Sequence, residues 1–145
     1  MKVRDAMTTN VVLARPDQSI RDAARLMAKI DAGVLPVGEN DRLVGMITDR
    51  DIAVRAVAED KPPDTPVRDV MSKEVLYCFE DESIEHVAHT MGEQQVRRLP
   101  VLNREKRLVG IVSLGDLANA ARPGTSGEAI AQISRPGGAH DQTLH

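Results

Sequence analysis

The chain is written twice, and a fixed internal period means one supersecondary unit used in duplicate. Residues 4–37, RDAMTTNVVLARPDQSIRDAARLMAKIDAGVLPV, lie over residues 68–101, RDVMSKEVLYCFEDESIEHVAHTMGEQQVRRLPV. Arg4/Arg68, Asp5/Asp69, Met7/Met71, Val11/Val75, Asp17/Asp81, Ser19/Ser83, Ile20/Ile84, Ala24/Ala88 and Met27/Met91 coincide. So do Leu35, Pro36 and Val37 with Leu99, Pro100 and Val101. After a slip of one residue, RLVGMITDRDIA at 42–53 falls on RLVGIVSLGDLA at 107–118. The slip lies in a polar stretch that reads as a hairpin turn, where loop length varies easily.

Each copy carries the same local signals. Val11 to Leu13 and Val75 to Tyr77 are short β-prone runs. Ser19 and Ser83 are natural N-caps for helices whose apolar positions, Ile20, Ala23, Ala24, Met27 and Ile84, Val87, Ala88, Met91, follow amphipathic helical spacing. A hairpin follows in each copy, with its turn at Gly38 to Asp41 or at Asn103 to Lys106. A last helix starts at Thr48 or Ser113 and runs to about Glu59 or Ala121. The order is β-α-β-β-α per copy, and a sheet of three short strands leaves an apolar face to cover. The expectation is an α+β fold of two repeats, residues 1–64 and 65–122, packed sheet to sheet with pseudo-twofold symmetry. Lys61 to Asp64 joins them, and Thr65 before Pro66 restarts the chain. In the tail, 123–145, a short helix is expected around Glu128 to Ile133, followed by a mobile end.

Composition narrows the function classes. One Phe, one Tyr and no Trp among 145 residues leave an aliphatic core and little with which to stack unpaired bases. A net charge of -3 without a basic run disfavours nucleic acid as a partner. Cys78 is the only cysteine, which excludes an intramolecular disulfide and a Cys-rich zinc cluster, and its place after a β-run suits a buried small hydrophobe. His86 and His89 stand three apart on a helix with no third ligand at suitable spacing, so they read as solvent-facing and no metal site is expected. Met27, Met46, Met71 and Met91 read as core filler. No Ser/His/Asp or Cys/His order and no P-loop is present, so no enzyme is expected. The absence of a long apolar run and of an apolar centre in the first ten residues points to a cytoplasmic protein without a membrane span.

The pattern that remains is LVG followed by two apolar residues and Ser/Thr-x-x-Asp, ending in Thr48 and Asp51 in one copy and Ser113 and Asp116 in the other. By itself this is a capping box, and Ser19 with Asp22 has the same form at a helix where no ligand is expected. The copies differ in what they keep: the Ser19 box loses its acid at His86, whereas Ser113 and Asp116 repeat Thr48 and Asp51. A helix N-terminus also attracts phosphate, a carboxylate accepts from two vicinal hydroxyls, and Gly45 and Gly110 leave room for a ligand to approach. Cap and ligand grip both stay open, and one residue can serve both.

With the repeat, the element order and the two Ser/Thr-x-x-Asp segments together, the sequence resembles a tandem pair of cystathionine β-synthase (CBS) domains, a Bateman module, of the stand-alone bacterial type. The resemblance covers roughly residues 1–122. It implies a regulatory, non-catalytic, signal-transducing module whose clefts hold AMP, ADP, ATP or, in some members, S-adenosylmethionine or a dinucleotide such as NAD. It also implies homodimers of pairs and an unknown downstream protein; the alternative is a dimerisation or docking module with vestigial clefts. Carried over, Asp51 and Asp116 would hold ribose, Thr48 and Ser113 phosphate, and strand residues the adenine. Each cleft would join the two copies. Thr48, Arg50 and Asp51 would face Leu76, Arg97, Arg98 and Pro100, while Ser113 and Asp116 would face Asn10, Val12, Gly33, Val34 and Pro36. Arg50 near Arg97 or Arg98 would make the Thr48/Asp51 cleft the phosphate-rich one.

Overall fold

Two helices of eleven residues each frame the repeats in the computed structural model, which describes residues 1–120. Helix α1 spans Ile20–Ile30 and α3 spans Ile84–Gln94. Each starts as its serine dictates: Ser19 Oγ accepts from the Asp22 amide and Ser83 Oγ from the His86 amide, both at 3.1 Å. Each ends alike too, at Asp31 and Gln95 in left-handed conformation. The buried residues of α1 are Ile20, Ala23 and Met27; those of α3 are Ile84, Val87, Ala88, Met91 and Gly92. Ala24, expected on the buried face, is exposed, as is Ala28 one turn on. Their counterparts Ala88 and Gly92 are buried where α3 packs against α4, Leu114–Ala120.

Strands β1, Val34–Glu39, and β2, Arg42–Thr48, form an antiparallel hairpin. Its turn is Asn40 and Asp41, both at positive φ, as a tight two-residue hairpin requires. Gly38, expected in that turn, lies in β1 beside a register irregularity instead. The second repeat has β3, Cys78–Phe79, β4, Arg98–Leu102, and β5, Leu108–Ser113, in that sheet order, with β3 parallel to β4. The expected first strands therefore fall later and shorter: Val75 to Tyr77 gives way to Cys78 and Phe79, and Val11 to Leu13 to a single parallel bridge from Ala14 to Val37. The bridge matches the Cys78 pairing with Val101, so the repeat persists at one residue. Buried Ala14 and Cys78 mark the positions that must face inward. The last helix of the first repeat, α2, is α-helical over Asp49–Asp51 and continues as a π-helical turn over Ile52–Val57. The Ala121 end of the second repeat's last helix and the tail helix lie outside the described residues. Among those described, no helix is long and apolar enough to cross a membrane.

Packing does not divide the chain where the repeat does. Residues 12–75 with 106–108 form one compact unit, the first-repeat unit; residues 1–11, 76–105 and 109–120 form the second-repeat unit. The leader of each repeat thus packs with the other copy. Val67 and Val70 complete a core of Ala14, Ile20, Ala23, Met27, Leu35, Val37, Ile47 and Ala56, while Val3 completes one of Cys78, Ile84, Val87, Ala88, Met91, Leu99, Val101, Val112 and Leu117. Both cores are aliphatic, as the composition demands.

The leaders are seated over the two glycines. Met46 and Ser72 exchange two backbone hydrogen bonds of 2.9 Å, and Thr8 and Ile111 exchange two of 2.9 and 3.0 Å. A Cβ on Gly45 would lie 2.7 Å from both the Met71 sulfur and the Ser72 carbonyl oxygen. One on Gly110 would lie 2.7 Å from the Met7 sulfur and 2.9 Å from the Thr8 carbonyl oxygen. The space that Gly45 and Gly110 leave open is taken by backbone of the same unit, which corrects the expectation that it serves an approaching ligand.

Two consequences are measurable. Gly45→Ala and Gly110→Ala should each lower stability by about 1–3 kcal/mol in chemical denaturation, since a carbonyl cannot swing aside as a side chain can. Gly115→Ala, whose Cβ would meet only the Ser113 hydroxyl at 3.5 Å, should be neutral or stabilising by up to about 1 kcal/mol. Burial, helped by the Glu82 carboxylate, pushes the Cys78 thiol up from 9.0 to about 12. Between these values the unfolded chain ionises and the folded one does not, so stability should fall as pH rises from about 9 to about 12. Denaturation at pH 8 and pH 11 should show a smaller fall for Cys78→Ala than for the natural chain.

Candidate functional site

Thr48 ends β2 and Asp51 is the third residue of α2, so strand and helix are joined at the motif. Thr48 pairs with Val34, and the Asp49 amide donates to the Gly33 carbonyl at 3.0 Å. Ser113 likewise ends β5, and the Leu114 amide donates to the Arg97 carbonyl at 3.0 Å. Within its unit, each motif is therefore tied to the chain entering the preceding strand: Gly33 and Val34 in one case, Arg97 and Arg98 in the other.

The caps are complete. Asp51 Oδ2 accepts from the Thr48 amide and Thr48 Oγ1 from the Asp51 amide, both at 3.0 Å. Asp116 Oδ2 accepts from the Ser113 amide at 2.9 Å, and Ser113 Oγ from the Asp116 amide at 3.1 Å. Ser19 makes only the hydroxyl half of the box. Capping consumes one carboxylate oxygen and fixes the plane of the other. Asp116 Oδ1 has no partner among the described residues, whereas Asp51 Oδ1 lies 3.8 Å from Arg55 Nε.

The arginines divide between the units, Arg50 in the first-repeat unit and Arg97 and Arg98 in the second. All three are exposed, and none of their guanidinium groups has a partner among the described residues. Asp49, which the sequence reading passed over, sits beside Arg50: its Oδ1 accepts from the Arg50 amide at 2.8 Å, and a Cβ on Gly33 would lie 2.9 Å from its Oδ2. Of the positions expected near adenine, Val12, Gly33, Val34 and Pro36 belong to the first-repeat unit and Asn10, Leu76 and Pro100 to the second. Pro36 and Pro100 are buried, Val12 and Val34 half-buried, and Asn10, Gly33 and Leu76 exposed. Arg55 and Ser72 were also missed. Arg55 was legible as an i, i+4 partner of Asp51, but Ser72 reaches the same place only through the crossing leader.

Elsewhere, an open cleft of about 240 Å³ in the second-repeat unit is lined by Arg4, Glu80, Asp81, Asn103, Arg104 and Glu105, none of them an expected site residue. Arg104 donates to both Asp81 oxygens, at 2.9 and 2.7 Å, which holds that carboxyl below its usual range. Its guanidinium also lies 4.2 Å from the Phe79 ring centroid. Such a clamp orders a surface and offers no apolar slot for a base. His86 and His89 are exposed, with His89 Nε2 3.0 Å from Glu93 and His86 Nε2 4.0 Å from Glu82. No three His, Cys, Asp or Glu side chains converge among the described residues.

Comparison with known proteins places this geometry. CBS domain-containing protein YhcV of Bacillus subtilis is 44% identical over 133 residues, covering 91% of this chain and 94% of that protein. The crystal structure of Hypoxic Response Protein I with two coordinated zinc ions superposes with a TM-score of 0.76 at 35% identity, over 84% of this chain and all of that one. The CBS domain pair of protein MJ0100 in complex with 5'-methylthioadenosine and S-adenosyl-L-methionine gives 0.71 at 31% identity, over 82% and 94%. CBSX2 in complex with AMP gives 0.72 at 28%, over 82% and 94%. A family description, CBS domain, matches residues 3–57 and again 67–122. Two matches in tandem, on the two copies that carry the capped acids, show that the chain belongs to the CBS domain family and holds a pair of its domains.

Proposed function

We propose that this CBS pair is a non-catalytic regulatory module that binds an adenosine-containing ligand of the AMP, ADP or ATP type. The observation that carries the proposal is the recurrence of a carboxylate, Asp51 and Asp116, anchored to a backbone amide through Oδ2 with Oδ1 outside the cap, without a partner among the described residues at Asp116 and 3.8 Å from Arg55 Nε at Asp51. The ligands of the MJ0100 pair and of CBSX2 share only adenosine, whose ribose presents a vicinal diol. The exposed guanidinium groups of Arg50, Arg97 and Arg98 suit phosphates on such a ligand. The family resemblance, which brings Arg50 toward Arg97 or Arg98, is what favours the more phosphorylated form at the Thr48/Asp51 copy, and equal loss of ATP affinity in Asp51→Ala and Asp116→Ala would contradict that preference.

Homodimerisation is part of the same proposal. Val54 and Val57 on the π-helical turn are 49% and 67% exposed, apolar surface of the kind that partners cover. Val54→Glu with Val57→Glu should shift a dimer to monomer in sedimentation. The zinc of Hypoxic Response Protein I belongs to that protein; among the described residues no cluster of three His, Cys, Asp or Glu side chains includes His86 or His89.

Calorimetry tests the binding claim. AMP, ADP or ATP should bind the natural chain without phosphate release. Asp51→Asn and Asp116→Asn keep a capping oxygen and remove the charge, so each should weaken its own copy about tenfold or more, the value of hydrogen bonds to a charged acceptor. No heat with any of these nucleotides, S-adenosylmethionine or NAD would favour a docking module with vestigial clefts.

A further inference from the structure

Arg55 makes the two acids unequal. It ion-pairs Asp51 Oδ1 at 3.8 Å through Nε, while its Nη1 donates to the Val70 carbonyl and to Ser72 Oγ, both at 3.1 Å. All these residues lie in the first-repeat unit. One half-exposed guanidinium therefore ties the capping acid to the leader segment seated over Gly45. In the second copy Ala120 stands where Arg55 would be and Thr8 where Ser72 would be, so the tie has no counterpart there.

We infer that Arg55 is a positioning residue that gates Asp51: a vicinal diol taking Asp51 Oδ1 displaces the guanidinium and thereby releases the Val70 carbonyl and the Ser72 hydroxyl. This rests on the adenosine-binding reading of Asp51 and adds to it a direction of signalling. Asp116 has no ion pair among the described residues, so that copy takes its ligand without breaking one, and the Asp51 copy converts occupancy into loosening of residues 70–72. The gate is soft, because a partly exposed ion pair is worth little; removing it should tighten binding at Asp51 by roughly three- to fivefold.

The test uses the full chain carrying Asp116→Asn, so that AMP reports on the Asp51 copy, and follows amide hydrogen exchange at Met46 and Ser72, which bond each other's carbonyls. AMP should speed exchange at these two amides. Adding Arg55→Ala should make them fast without AMP, abolish the further response and tighten AMP binding roughly three- to fivefold. Arg55→Lys, which keeps a cation at Asp51 but loses the fork, should keep near-natural affinity and lose the exchange response. AMP binding with unaltered amides, or unchanged or weaker binding in Arg55→Ala, overturns the role of Arg55 alone. A parent protein that binds no AMP overturns the adenosine reading and this inference with it.

Discussion

Everything else in each unit is arranged around a backbone crossing that only glycine permits. At Gly45 and at Gly110 a leader carrying Met and Ser or Thr lies so close to the hairpin's second strand that a Cβ would overlap a carbonyl oxygen. The crossing seats Val67 and Val70, or Val3, in a core assembled from the other sequence copy. Neither aliphatic core is completed by a single contiguous repeat, so a chain of 145 residues forms two small cores only by sharing its leaders.

The capped acids follow directly downstream. Three residues after Gly45 comes Thr48, and three after Gly110 comes Ser113, so the strand held by the crossing delivers the cap at a fixed height. The cap in turn fixes the carboxylate plane through one oxygen. On the proposed reading, the cap and ligand binding are complementary: an acid free to rotate would be a worse acceptor for a rigid diol than one pinned by a backbone amide. Arg55 modulates this at one copy, since it joins acid to leader.

The repeat, both helix starts, the hairpins and the caps were legible because each is set by residues close in sequence: a serine before an apolar period, an acid three residues after a hydroxyl. Features set by distant partners were not. Ala24 and Ala88 carry the same residue type in the same period, yet only Ala88 is buried. Val11 to Leu13 has the higher strand propensity, but the inward pairing falls on Ala14, whose amide donates to the Pro36 carbonyl and whose carbonyl accepts from the Gly38 amide on either side of Val37. The glycines announced a close approach without naming what approaches, and it proved to be the leader. The capped acids themselves were identified by comparing the copies, while Asp49, Arg55 and Ser72 had no repeated counterpart to draw notice.

The central claim is that the capped carboxylates grip a ribose diol. The most direct measurement is the affinity of AMP relative to 2'-deoxy-AMP, titrated calorimetrically against the natural chain. Loss of one of two hydroxyls to a charged acceptor should weaken binding about tenfold or more. Equal affinities for the two would contradict the role given to Asp51 and Asp116.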